Sequence, residues 1–91
     1  MNIETPHILV IDDHADIRDP LAKYLTNHGL RATTASGGVE MDKVLATSSI
    51  DLIVLDIMMP GEDGFSICRR IQDGPKIPVI LLTALTDETD R

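Results

Sequence analysis

Two short apolar runs, Ile8-Leu9-Val10-Ile11 and Leu52-Ile53-Val54-Leu55, each lead directly into acid, Asp12-Asp13 after the first and Asp56 after the second. An apolar run without polar alternation belongs to a strand buried on both faces, the habit of a parallel sheet covered by helices. Ligands of such sheets bind in the crevice outside the carboxyl ends of the strands. Two neighbouring strands of this kind would bring three carboxylates to one crevice, where they repel one another unless a cation neutralises them. A hard divalent cation such as Mg²⁺ takes carboxylate, water and phosphate oxygens. The first reading is therefore a site that handles phosphoryl groups.

The chain is short enough, at 91 residues, for one domain at most. Its apolar share of 43% excludes a disordered chain. No apolar stretch approaches a membrane span, and no basic segment followed by an apolar one opens the chain, so neither membrane insertion nor a secretory leader is expected. A single cysteine, Cys68, cannot form an internal disulfide, which fits a reducing cytoplasm. The net charge of −7 disfavours direct nucleic acid contact from this segment and suits a surface that gathers cations. Tyr24 and Phe65 are the only aromatic residues apart from histidine, too few for base stacking.

Strand-like and helix-like periods alternate along the chain, the pattern of βα units. The first strand spans about His7 to Asp12. A helix from about Ala15 to His28 places Ile17, Leu21, Tyr24, Leu25 and His28 on one stripe. Gly29 suits the left-handed residue after it, and Pro20 inside it implies a local bend. The more polar segment Leu30 to Ala35 reads as an edge strand. Ser36-Gly37-Gly38 opens a second helix, Val39 to Ala46, with Met41, Val44 and Leu45 inward. Asp51 to Asp56 forms the third strand. A third helix, about Gly64 to Gln72, has Phe65, Ile67, Cys68 and Ile71 as its apolar side. Pro78 to Thr83 is the fourth strand, and Asp87-Glu88 suits the first turn of a further helix. Right-handed crossovers give the order 2-1-3-4. That order leaves the apolar fourth strand as an open edge, so the domain is expected to be incomplete.

Asp56 can act as a nucleophile that forms an acyl phosphate, with Asp12 and Asp13 holding the cation. The Thr83 hydroxyl could donate to a phosphoryl oxygen, and Ala84 leaves room and a backbone amide. Together with Met58-Met59-Pro60, Asp63-Gly64 and Leu82-Thr83-Ala84, these residues resemble the receiver domain of two-component response regulators. The stretch Leu55 to Gly64, continuing through Ser66-Ile67-Cys68-Arg69-Arg70, is similar to the OmpR-type subfamily. The resemblance runs from about His7 to the C-terminus. It implies an α/β, flavodoxin-like fold over residues 1–91, lacking the fifth strand, the fifth helix and most of the fourth. It implies a phosphorylation switch with no substrate turnover beyond its own loading and slow hydrolysis. Asp56 is then the phosphoacceptor for a sensor histidine kinase. Mg²⁺ is held by Asp13 and Asp56, by Asp12 through water and by the Met58 carbonyl, while Thr83 is the switch hydroxyl. The family's lysine at the end of its fifth strand has no counterpart here, since Lys76 precedes the fourth strand. A full-length protein of this subfamily would carry a DNA-binding domain and regulate transcription.

Blander readings exist for each of these residues. Asp12-Asp13 could serve as a helix cap, and Thr83 as an ordinary strand residue. The default for His14 is a solvated surface histidine, with gating of the pocket as the lesser reading. His7, His14 and His28 lack metal-ligand spacing among themselves. Cys68 reads as helix packing, Glu62-Asp63 as a solvated acidic loop, and Arg69-Arg70 as an exposed helix face. The alternative function is a truncated or degenerate receiver used only for docking or dimerisation. In either case Ile17, Leu21 and Leu25, short of a covering helix in the incomplete domain, are expected to drive a homodimer, a domain-swapped dimer or aggregation.

Overall fold

The computed structural model describes residues 5–57, 64–74 and 76–82. The expectations for Met58 to Asp63, for Thr83 and Ala84, and for Asp87-Glu88 lie outside those residues. The elements run β1 (His7–Ile11), α1 (Ala15–Asn27), β2 (Arg31–Ala35), α2 (Gly38–Thr47), β3 (Leu52–Asp56), α3 (Gly64–Asp73) and β4 (Val79–Leu82). The strands form one parallel sheet ordered β2-β1-β3-β4, as the crossover rule requires.

Alternation along β1 and β3 sends side chains to two apolar layers. Leu9, Ile11, Ile53 and Leu55 join Met41 of α2 and Ile67 and Ile71 of α3 on one face. Ile8, Val10 and Val54 pack on the other face with Leu21 and Leu25 of α1 and with Leu30. Each fully buried aliphatic side chain contributes roughly 1.5–3 kcal/mol relative to exposure, so the two central strands carry most of the driving force. β2 is polar because it is an edge with one buried residue, Ala35.

Helix α1 runs through Pro20 without interruption. It ends in a Schellman motif, with Leu30 N donating to Leu25 O and Gly29 N to Thr26 O, both at 3.1 Å. Gly29 sits at φ 86°, the left-handed conformation that glycine adopts without strain.

The packed stripe of α1 is narrower than the sequence suggests. Leu21 and Leu25 meet the sheet, whereas Ile17 is 49% exposed and Tyr24 and His28 stack on each other at the surface. Phe65 likewise departs from the expected apolar side of α3. It is 59% exposed, because Gly64, Ile67 and Ile71 already fill the buried side of that helix. Cys68 packs against the core, and Arg70 pairs with Asp42 across α3 and α2. Among the described strands β4 pairs with β3 alone, and Ile80 is 50% exposed.

Gly64 fixes the approach of α3 to the end of β3. A methyl group there would lie 2.3 Å from the Ile57 Cα, an impossible contact with backbone. Gly64→Ala should therefore destabilise the fold by about 1–3 kcal/mol. Gly74→Ala, whose added carbon meets its nearest neighbour at an ordinary 3.4 Å, should be close to neutral. Urea unfolding of the two variants beside the parent checks this contrast.

Candidate functional site at the carboxyl ends of β1 and β3

Parallel pairing of β1 with β3 sets Ile11 opposite Leu55. The next residue of each chain segment, Asp12 and Asp56, therefore reaches the same level at the edge of the sheet. Both are buried, at 2% and 7% exposure. The Asp12 amide donates to Ala35 O at 3.1 Å, so β2 holds the chain in register one residue beyond β1.

The turn into α1 is organised by Asp12. Its Oδ1 accepts the His14 amide at 2.9 Å, the hydrogen bond of an Asx turn. Neither aspartate is the helix cap, which corrects the bland reading of this pair. The cap is His14, whose carbonyl accepts the amides of Ile17 and Arg18 at 3.0 and 2.9 Å. Arg18 reaches back from α1 and donates through Nη1 to the Asp12 carbonyl at 3.0 Å. This contact was not anticipated from sequence. The signal available was a basic residue one turn into the helix that follows the acidic pair.

Asp12, Asp13, His14 and Asp56 each present a donor atom within 4.8 Å of all the others. Two buried unit charges at that separation repel by on the order of 3 kcal/mol at an effective dielectric constant of 20. The half-exposed His14 ring offsets part of that repulsion. Its Nδ1 lies 3.2 Å from Asp12 Oδ1 and 3.1 Å from Asp13 Oδ1. The ring is 54% exposed, as expected of a surface histidine, and it also engages both carboxylates, a contact the sequence did not indicate.

The donor set fits a divalent cation. Oxygen predominates, as hard cations require, and Asp13 Oδ1 is buried without a hydrogen bond. That anionic oxygen, shielded from water, is faced by the His14 ring at 3.1 Å, and a bound cation would supply it with a full positive charge. Three of the expected residues, Asp12, Asp13 and Asp56, are brought together. Leu82, which precedes Thr83, pairs with Asp56, while Thr83, Ala84 and Met58 lie outside the described residues. Lys76 stands before β4, at the opposite end of the sheet from the carboxylates.

Residues 8–91 match the family model described as the response regulator receiver domain. The chain is 46% identical over 85 residues to the probable transcriptional regulator ycf27 of Cyanidium caldarium, covering 93% of this chain and 34% of that protein. It is 47% identical over 85 residues to the transcriptional regulatory protein AfsQ1 of Streptomyces coelicolor, covering 93% and 38%. The chain thus spans little more than a third of these relatives, which are regulators of the OmpR type. Among solved structures, response regulator protein TrrA of Thermotoga maritima in complex with Mg²⁺-BeF superposes with TM-score 0.80 at 36% identity. That likeness covers 90% of this chain and 72% of TrrA.

The carboxylates raise the His14 pKa above its ordinary 6.5, first through the hydrogen bond to Asp12 and then through the charge of Asp13. A raised folded-state pKa favours the fold fully below the unfolded value and fades as pH rises through the raised one. Proton NMR of the imidazole should place its midpoint above 6.5. In Asp12→Asn the midpoint should move back toward 6.5.

Proposed function

The chain belongs to the response regulator receiver family, and from that premise we propose that Asp56 is the phosphoacceptor of a switch loaded by a sensor histidine kinase. The observation that carries this reading is the meeting of Asp12, Asp13 and Asp56 donor atoms within 4.8 Å at the carboxyl ends of adjacent strands. Asp13 and Asp56 would hold Mg²⁺ directly, Asp12 through water, and the Met58 carbonyl would complete the protein's share. When bound, the cation supplies positive charge to the phosphoryl oxygens.

The protein's own residues supply position. A carboxylate oxygen of Asp56 attacks phosphorus in line with the departing imidazole of the kinase phosphohistidine. The new bond is O–P and the broken bond is P–N. The electron pair stays on the imidazole nitrogen, which takes up a proton. Asp56 is suited to this step because β3 fixes it from both sides. Val54 and Leu55 are buried in the sheet, while the Ile57 amide donates to Leu82 O at 3.1 Å. Placement of a nucleophile by rigid elements is the larger part of catalysis in phosphoryl transfer. The Thr83 hydroxyl would donate to a phosphoryl oxygen, and Ala84 would leave room for it.

The reaction is stoichiometric, so the domain is a switch and not a turnover enzyme. In the full-length protein the switch would govern a DNA-binding domain, with the transcriptional regulators above as the model, and would act in the cytoplasm. No helix among the described residues is long and apolar enough to cross a membrane. Pairing of two copies through the exposed part of α1 belongs to the same proposal.

Intact mass after incubation with Mg²⁺ and acetyl phosphate tests the assignment. One added phosphoryl group is expected on the parent chain and none on Asp56→Asn. Equal labelling of both proteins would move the acceptor elsewhere, and no labelling of either would favour a docking role.

A further inference from the structure

His14 takes no part in the reading above, yet it contributes the one nitrogen among the four clustered donors. We propose that His14 is a ligand to the cation in this crevice, and that it biases the site from Mg²⁺ toward later first-row transition cations such as Co²⁺ and Ni²⁺. The inference rests on the proposed cation site and adds a ligand and a selectivity to it.

The geometry carries the argument. Adjacent donors in an octahedral shell with bonds of 2.0–2.1 Å stand about 2.9 Å apart, the bond length multiplied by the square root of two. His14 Nδ1 stands 3.2 Å from Asp12 Oδ1 and 3.1 Å from Asp13 Oδ1. His14 Nδ1 and Asp13 Oδ1 are spaced close to neighbouring corners of one coordination shell, while Asp12 Oδ1, which also accepts the His14 amide, holds the ring beside them. Asp13 Oδ1, buried and without a hydrogen bond, has a lone pair to give.

His14 is also held in place by its backbone. Its amide donates to Asp12 and its carbonyl receives the first amides of α1. The ring needs only side-chain rotation to keep Nδ1 facing the crevice. Because it is half exposed, a Mg²⁺ held by Asp13 and Asp56 can retain a water in its place. Imidazole favours borderline transition metals, whereas carboxylate and water suit Mg²⁺. Mg²⁺ gives up water reluctantly, so the nitrogen adds little for that ion and more for Co²⁺ or Ni²⁺.

Isothermal titration calorimetry of the full chain with Mg²⁺ and with Co²⁺ at pH 8, where protons compete little, separates the outcomes. His14→Ala and His14→Gln should each weaken Co²⁺ binding on the order of tenfold or more and leave Mg²⁺ within about twofold. The visible absorption of bound Co²⁺ should shift in both variants as a nitrogen donor is replaced by water. Equal changes for the two cations would overturn the proposal and reduce His14 to a local charge. Unchanged Co²⁺ affinity and absorption would overturn it as well. A parent chain that binds neither cation would instead sink the reading of the crevice on which this proposal stands.

Discussion

The register between β1 and β3 is the constraint on which the site depends. Side chains alternate along a strand, so a slip of one residue would turn every buried aliphatic of β1 to the opposite face. Leu9 and Ile11 fill one apolar layer and Ile8 and Val10 the other. With Ile11 held opposite Leu55, the carboxylates of Asp12 and Asp56 have no choice but to meet at the sheet's edge. Hydrophobic packing thereby holds together charges that would otherwise separate. That repulsion is what a bound cation would relieve.

The layers around that pair serve the same end. Asp12 closes the turn into α1 with its carboxylate, and Arg18 clamps the Asp12 carbonyl from the first turns of the helix. Gly64 lets α3 press against Ile57, one residue beyond Asp56. Both aspartates are therefore anchored through their backbones, Asp12 by Ala35 and Arg18 and Asp56 by its pairing in β3. A site held by rigid elements in this way keeps its geometry without remodelling the core.

Much of this was legible in the residues, for identifiable reasons. Unbroken apolar runs identified the central strands, because burial on both faces removes the polar alternation of an exposed sheet. Sheet order followed from the handedness of crossovers, and Gly29 marked the end of α1 through its left-handed backbone. Phe65 was misjudged because helical periodicity sees hydrophobicity and not competition for space. Ile67 and Ile71 occupy the contact and turn Phe65 outward. His14 is exposed as expected, but its place in the cluster was not legible because sequence spacing says nothing about Asp56 brought in from another strand. The ring meets Asp56 only through folding.

The central claim is that one cation-binding crevice is formed by the ends of two strands. Amide-resolved NMR during a Mg²⁺ titration tests it most directly. Saturable shifts centred on Asp12, Asp13 and Asp56, and abolished in Asp13→Asn, are the predicted result. Shifts that are absent, scattered over the acidic surface, or unchanged in Asp13→Asn would contradict it.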